Sequence, residues 1–349
     1  MLFRNALPLF RLSLSLAVAA AGWPVLHAAA QQPSNASDLE SRPNVVVIMI
    51  DTMRTDYLDL YGYDRQTAPF LNWLAQHSTH FPNAFSTSSW TAPATASLFT
   101  ALYPTQHSLQ IGLLYQQWLH NHMLVDKVEE NDPKHEELKA RLDSIDKPAV
   151  VFQKLPKEFT TLTEIFQQSG YTTYGIAANI NISPDMNFDQ GFDTFHFKDQ
   201  MPAQEIYEHV VENTSAIKGD KPYFLYVHFM DPHEPYTTRY PYFIEQSTNE
   251  ENMKEAYLSE IRYMDDYIAL MFHHLRMDQN TLVVVVTDHG EEFLDHGRYG
   301  HKPQLYGELN DALTLFYGPS MGITAQAPIQ NVSHIDGMRN VLELVNMTT

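Results

Sequence analysis

Two uninterrupted apolar, β-branched runs constrain this chain more than anything else in it: Asn44 to Ile50 (NVVVIMI) and Thr281 to Val286 (TLVVVV). A strand with one wet face alternates polar and apolar residues. A run without alternation suits a strand covered on both faces, as in a parallel sheet packed between helices. Tyr223 to Val227 and Leu313 to Tyr317 read as further strands. Helical patterns fall between them. In Glu255 to Arg276 the residues Tyr257, Ile261, Met264, Ile268, Met271 and Leu275 recur at three- and four-residue steps, with charge on the other face. Pro69 to His77 and Thr163 to Gln168 are shorter helices. This alternation predicts the α/β class, an α/β/α sandwich around a large, mostly parallel sheet.

The ends of the chain read differently. Arg4 and Arg11 precede an apolar stretch from Leu12 to Val25, and Ala28 to Ala30 supplies small residues after it. Residues 1–30 thus have the order of a secretory signal; an uncleaved anchor is the alternative, for which the run is short. Export to a periplasm or to the outside follows, with no integral membrane segment once the leader is cleaved. Residues 31–42 form a polar linker, and 43–349 a single catalytic domain. A charged, apolar-poor insert at about 120–147 interrupts it as a solvated surface element. The chain holds 22 basic and 42 acidic residues, a net charge of −20, which argues against a nucleic-acid groove. It has no cysteine, so disulfides, thiolate metal sites and cysteine nucleophiles are excluded, and its 17 histidines are the remaining strong nitrogen ligands.

The residues that carry chemistry cluster after strands, where ligands of open α/β sheets collect. The first strand runs into Asp51, and the run from Thr281 into Asp288, His289 and Gly290. An aspartate there can cap the next helix. Two such ends, one with an adjacent histidine, point to a shared divalent metal, zinc or manganese by ligand type, with calcium also open. Thr91 precedes Pro93 at the start of a helical segment. It reads either as a cap or as a hydroxyl placed where helix amides favour an oxyanion and a metal would activate it as a nucleophile. His228, Asp231 and His233 follow the strand at Tyr223, and His296, His301 and Lys302 follow Asp295. A lysine and a histidine beside a metal can hold a tetrahedral anion and protonate a leaving group.

These segments together resemble the sulfatase family of the alkaline-phosphatase superfamily. The likeness runs through PNVVVIMIDTMRTDYLDLYGYDRQTAPFLNWLA (Pro43 to Ala75), FPNAFSTSSWTAPATASLFTALYPTQHS (Phe81 to Ser108), Gly170 to Asp193, HFMDPHEPY (His228 to Tyr236) and Thr281 to Glu308. It is collinear from about Pro43 to Met347. The resemblance implies an alkaline-phosphatase-like fold, one divalent metal on Asp51, Thr91, Asp288 and His289, and Thr91 at the nucleophile position. It places His233 and Lys302 where substrate binding and leaving-group protonation occur. His301 matches a histidine of one subgroup, and Asp231, His233 or His301 are candidates for substrate or a second metal. The departures bear on the chemistry. Thr52 stands where many relatives have a second aspartate. The stretch Thr91-Ala-Pro-Ala-Thr95 replaces the Cys/Ser-x-Pro-Ser-Arg motif, so no formylglycine is expected. The stretch Ile176-Ala-Ala-Asn-Ile-Asn181 stands where the family has a lysine–histidine pair. The smaller C-terminal subdomain usual in the family is expected to be missing after Thr349, which would leave a shallower site or one completed by a partner.

Threonine at the nucleophile position occurs in relatives that act on phosphorus. The reading is therefore a metal-dependent hydrolase of phosphate, phosphonate or related esters, sulfate included, acting on a small-molecule, glycan or lipid ester. Two alternatives stand beside it: a phosphoethanolamine- or phosphoglycerol-type transferase using the same half-reaction, and a non-catalytic descendant that keeps the fold for binding.

Overall fold

Strand β1 (Asn44–Ile50) lies in the middle of a seven-stranded sheet, buried from Val45 onward. The computed structural model describes residues 41–112, 153–302 and 304–347. The expected leader at 1–30, all but the end of the 31–42 linker, and the 120–147 insert lie outside the described residues. In chain order the other strands are β2 (Thr79–His80), β3 (Ala84–Phe85), β4 (Thr172–Ala177), β5 (Thr194–Phe197), β6 (Tyr223–Phe229), β7 (Thr281–Thr287), β8 (Glu292–Phe293), β9 (Tyr299–Gly300), β10 (Thr314–Tyr317) and β11 (Val332–Ser333). The sheet order is β2-β10-β7-β1-β6-β4-β5. The five strands from β7 to β5 are mutually parallel, while β10 runs antiparallel to β7 and β2.

Successive residues of β1 feed two separate cores, as the two-residue period of a strand requires. Val46, Ile48 and Ile50 pack with helices α1 (Pro69–Gln76), α4 (Ala203–Glu212) and α5 (Asn249–Leu275). Val45, Val47 and Met49 pack with α2 (Thr91–Thr100), α3 (Leu162–Gln168) and α6 (His334–Leu344). Both faces are therefore dry, which is why β1 and β7 carry no alternation. The result is the α/β/α sandwich with a mostly parallel sheet that the sequence predicts. Among the described residues no helix is long and apolar enough to cross a membrane.

Several boundaries shift for local reasons. Helix α5 starts at Asn249, six residues before the expected start at Glu255, because Thr248 and Glu251 form a reciprocal cap: the Glu251 amide donates to Thr248 Oγ1, and the Thr248 amide to Glu251 Oε2, each at 3.2 Å. Strand β6 continues past Val227 to Phe229, and β7 past Val286 to Thr287. Those extra residues carry the backbone to the end of the sheet where the polar side chains collect.

A candidate metal centre at the strand ends

Three neighbouring parallel strands deliver three buried side chains to one point. In register, Ile50 lies beside Thr287, so Asp51 and Asp288 leave β1 and β7 at the same level, while His228, paired with Met49, projects from β6 two residues short of it. Each is fully buried, and one ligand atom from each lies within 4.8 Å of the others. His228 Nε2 is 3.4 Å from Asp51 Oδ2, and His289 Nε2 is 3.4 Å from Asp288 Oδ2 and 3.9 Å from Asp51 Oδ1. Buried polar atoms normally find partners. Here Asp51 Oδ1, Asp288 Oδ2 and both ring nitrogens of His228 make no hydrogen bond. Two carboxylates and imidazole nitrogens left open around a common point are the donor set of a zinc- or manganese-type ion. These residues fit such a metal.

The sequence reading assigns Asp51, Thr91, Asp288 and His289 to the metal, and the structure brings all four together. It adds His228, which that reading treats only as one of several histidines. The missed signal is positional: His228 is the penultimate residue of a buried strand, and only the pairing of β6 with β1 sets it beside Met49, within reach of Asp51.

Local structure fixes the orientation of each group. Thr52 has φ 52°, in the left-handed region that a β-branched residue rarely adopts. That turn aims its amide at Asp288 Oδ1 at 3.0 Å, and the His289 amide reaches the same oxygen at 2.7 Å. The Tyr257 hydroxyl from α5 braces the turn, donating to Thr52 O at 2.9 Å and accepting from the Arg54 amide at 2.8 Å. His289 Nδ1 lies 2.9 Å from Gly290 O. Donation there leaves Nε2 unprotonated toward the centre, the usual device for orienting a ligating imidazole.

Thr91 is the first residue inside α2, with Trp90 at the cap, so its hydroxyl does not occupy the capping position. It lies instead 3.4 Å from Asp51 Oδ2 and 3.3 Å from His289 Nε2, with the residue 2% exposed. The capping alternative is therefore not what the side chain does. Asn179 donates from Nδ2 to Asp51 Oδ2 at 2.6 Å, with Thr91 Oγ1 at 3.5 Å.

The electrostatics follow from this crowding. Burial works to raise the Asp51 carboxyl, but His233, His228 and His289 together outweigh it and hold it below the ordinary carboxylate range. Burial, and then the charge of Asp51, push Asp288 well above that range. Burial, with His301 next, lowers His289 to about 3, which favours its neutral ring, the form that can ligate a cation. His301 is raised: burial opposes its charge, and Glu291, 3.0 Å from its Nδ1, then Asp51, outweigh it.

The other candidate residues divide. The His301 ring centroid lies 4.4 Å from that of His289 and 5.1 Å from that of His233, so both histidines border the centre. Lys302 is exposed, and its carbonyl accepts from Ser89 Oγ at 2.7 Å, tying its segment to the loop before Thr91. Asp231 is held elsewhere: its Oδ1 accepts from the Ala203 amide at 3.1 Å and faces Arg239 Nη2 at 3.5 Å. It lines a cavity beside His233 and does not join the Asp51 group. The structure thus does not gather Asp231 with the metal residues, because the amide starting α4 already holds it.

Comparison with known proteins agrees with this architecture. An N-acetylgalactosamine-6-O-sulfatase of Bacteroides thetaiotaomicron is 32% identical over 63 residues, a stretch spanning 18% of this chain and only 12% of that enzyme. The phosphonate monoester hydrolase of Agrobacterium radiobacter superposes with a TM-score of 0.64 at 15% identity, over 88% of this chain and 74% of that one. The soluble domain of lipooligosaccharide phosphoethanolamine transferase A from Neisseria meningitidis superposes with a TM-score of 0.61 at 17% identity, over 91% and 90%. At these identities the superpositions speak for the fold. The Sulfatase family model matches residues 43–347, from the start of β1 to the end of α6 and through every strand that feeds the metal centre; the chain belongs to the sulfatase family.

Proposed function

We propose that the protein is an exported, metal-dependent hydrolase of phosphate, phosphonate or related esters, with Thr91 as the nucleophile. The observation that carries this is the Thr91 hydroxyl: buried, in the first turn of α2 and within 3.4 Å of both Asp51 and His289. A divalent ion held by Asp51, Asp288, His289 and His228 would acidify that hydroxyl and offset charge on the ester oxygens. Thr91 Oγ1 attacks phosphorus and the ester's alcohol leaves, giving a phospho-threonine that water resolves. Asn179 holds Asp51 Oδ2, the oxygen beside Thr91, and so fixes where the hydroxyl sits. The amides at the start of α2 face the entering phosphoryl group. His301, whose hold on a proton Glu291 strengthens, is placed to protonate the leaving alkoxide, with His233 beside it. Threonine oxidised at its β-carbon would give a ketone, so the formylglycine route to sulfate esters is closed at this position.

The test is a panel of aryl phosphate, phosphodiester, phosphonate and sulfate esters, assayed with native protein and with Thr91→Ala. Turnover on a phosphorus ester, exceeding that on the sulfate and abolished in Thr91→Ala, is expected. Undiminished turnover in Thr91→Ala, or preference for the sulfate, refutes the assignment. A second reading keeps the same first step and passes the phosphoryl group to an alcohol. It is favoured by the span of the likeness, which takes in 90% of the soluble phosphoethanolamine transferase domain. Product forming on an added alcohol faster than on water would select it.

A further inference from the structure

Beside His233 lies a cavity of about 100 Å³ that the proposed chemistry leaves unused. Its walls include Met201, Met230, Asp231, His233, Arg239 and Glu260. Asp231 follows strand β6, Glu260 comes from α5, and both are almost wholly buried, at 6% and 2% exposure. A single cation serves the two acids. Arg239 Nη2 sits 3.5 Å from Asp231 Oδ1 and 3.3 Å from Glu260 Oε1. One oxygen of each acid, Asp231 Oδ2 and Glu260 Oε2, has no partner, nor has Arg239 Nε. Arg239 cannot turn to meet them, because its guanidinium is stacked 4.3 Å over the Tyr263 ring and its backbone amide is held by Ser259 Oγ at 3.0 Å.

Buried carboxylate oxygens without donors are costly, and a space of this size takes several waters or a small organic group. A divalent ion suits it poorly. The fixed guanidinium would repel the ion, and two open oxygens are far fewer than a calcium site supplies. An ammonium group needs only acceptors. The leftover Arg239 N–H asks in turn for an oxygen a few bonds away. The location also constrains the ligand. Asp231 is three residues beyond His228, so even a fully extended chain puts the two within about 10 Å. His233 borders both the metal centre and the cavity.

We infer that this cavity binds the ammonium end of an amino-alcohol ester whose phosphoryl group sits at the metal centre. Asp231 and Glu260 accept from the ammonium, and Arg239 Nε donates to an ester or hydroxyl oxygen. Burial pushes Asp231 up to about 6 and Glu260 to about 9, against the partial relief that Arg239 gives both, and an ammonium bound between them would draw both back to the charged, accepting form. This inference rests on the ester reading of the metal centre, and the experiment separates the two.

The cavity alone is tested by melting the protein in ethylammonium chloride and in sodium chloride at equal ionic strength. A higher Tm in ethylammonium for the native protein, absent in Glu260→Gln, is expected; equal Tm values in native protein overturn the site. Its link to the substrate is tested by titration calorimetry with 2-aminoethylphosphonate and n-propylphosphonate, which differ by an ammonium against a methyl group. The aminoethyl compound should bind about tenfold or more tightly, as a charged hydrogen-bonded group warrants. That preference should vanish in both Asp231→Asn and Glu260→Gln, whatever their absolute affinities. Equal affinities in native protein, or a preference surviving in both variants, overturn the assignment. If the ethylammonium shift holds and neither phosphonate binds, the cavity stands and its assignment to an ester substrate falls.

Discussion

Asp288→Asn should remove the metal and yet stabilise the metal-free protein. Asp288 Oδ1 accepts two amides, from Thr52 and His289. Asparagine's carbonyl oxygen keeps both, so its amide group takes the place of Oδ2, the atom that has no partner. What disappears is the cost of holding a second buried acid against Asp51, their ligand atoms within 4.8 Å, a cost that also pushes the Asp288 carboxyl well above its ordinary range. At an effective dielectric of about 20, two like charges at that separation cost roughly 3.5 kcal/mol. That is a ceiling: the surrounding imidazoles and proton uptake by Asp288 offset part of it, leaving about 2–3 kcal/mol, or roughly 3–5 °C in Tm for a domain of this size. A metal present at about a thousand times its Kd would in turn stabilise the native protein by about 4 kcal/mol. The assay is thermal unfolding of both proteins with chelator and with added zinc or manganese. The chelated variant should melt above the chelated native protein and be indifferent to metal, while the native protein's Tm should rise on loading. A chelated variant that melts below the chelated native protein would refute the reasoning, because the two carboxylates would then not be held together at a cost. So would a native Tm unmoved by metal.

Three further outcomes are expected. Asn179→Ala, which frees Asp51 Oδ2 and the Thr91 hydroxyl from their common neighbour, should keep the bound metal by elemental analysis while kcat/KM drops by about tenfold or more; unchanged kcat/KM would show that Asn179 positions nothing. Gly290→Ala should yield no folded protein by circular dichroism, since a Cβ there would lie 1.9 Å from the backbone oxygen of Glu308; a normally folded variant would contradict that packing. Asp265, wholly buried, accepts from the Phe70 and Leu71 amides that open α1, each at 2.8 Å, and burial pushes its carboxyl up to about 7. Its folded value exceeds its unfolded one, so its contribution to stability is present at low pH and is lost as pH rises through about 7. Denaturant midpoints should therefore fall across that range in the native protein and fall less in Asp265→Asn; parallel curves would refute it.

How far the structure was legible in the sequence depended on whether the information was local. The strand at Asn44 and the one at Thr281 were legible because burial on both faces leaves an unmistakable run. Strands β4 (TTYGIA) and β5 (TFHF) mix threonine, glycine, histidine and aromatics, and offered no run or alternation to read. The direction of β10 was not legible either, because orientation is decided by pairing partners. In the metal centre, Asp51, Asp288 and His289 follow readable strands and could be proposed directly, and Thr91 came with its helix start. His228 needed the register of β6 on β1. Asp231 looked equivalent to His233 two residues on, and only its bond to the Ala203 amide separates them.

The central strand is also the first one made. Its two neighbours, β6 and β7, begin at Tyr223 and Thr281, so neither edge of NVVVIMI can be satisfied until most of the chain has been synthesised. At ordinary elongation rates that is a wait on the order of ten seconds or more. During it an aggregation-prone segment has no native partner, and late, long-range pairing makes for slow folding. Under the export proposed above, this delay would keep the nascent chain competent for translocation, at the cost of depending on a holdase until its last third emerges.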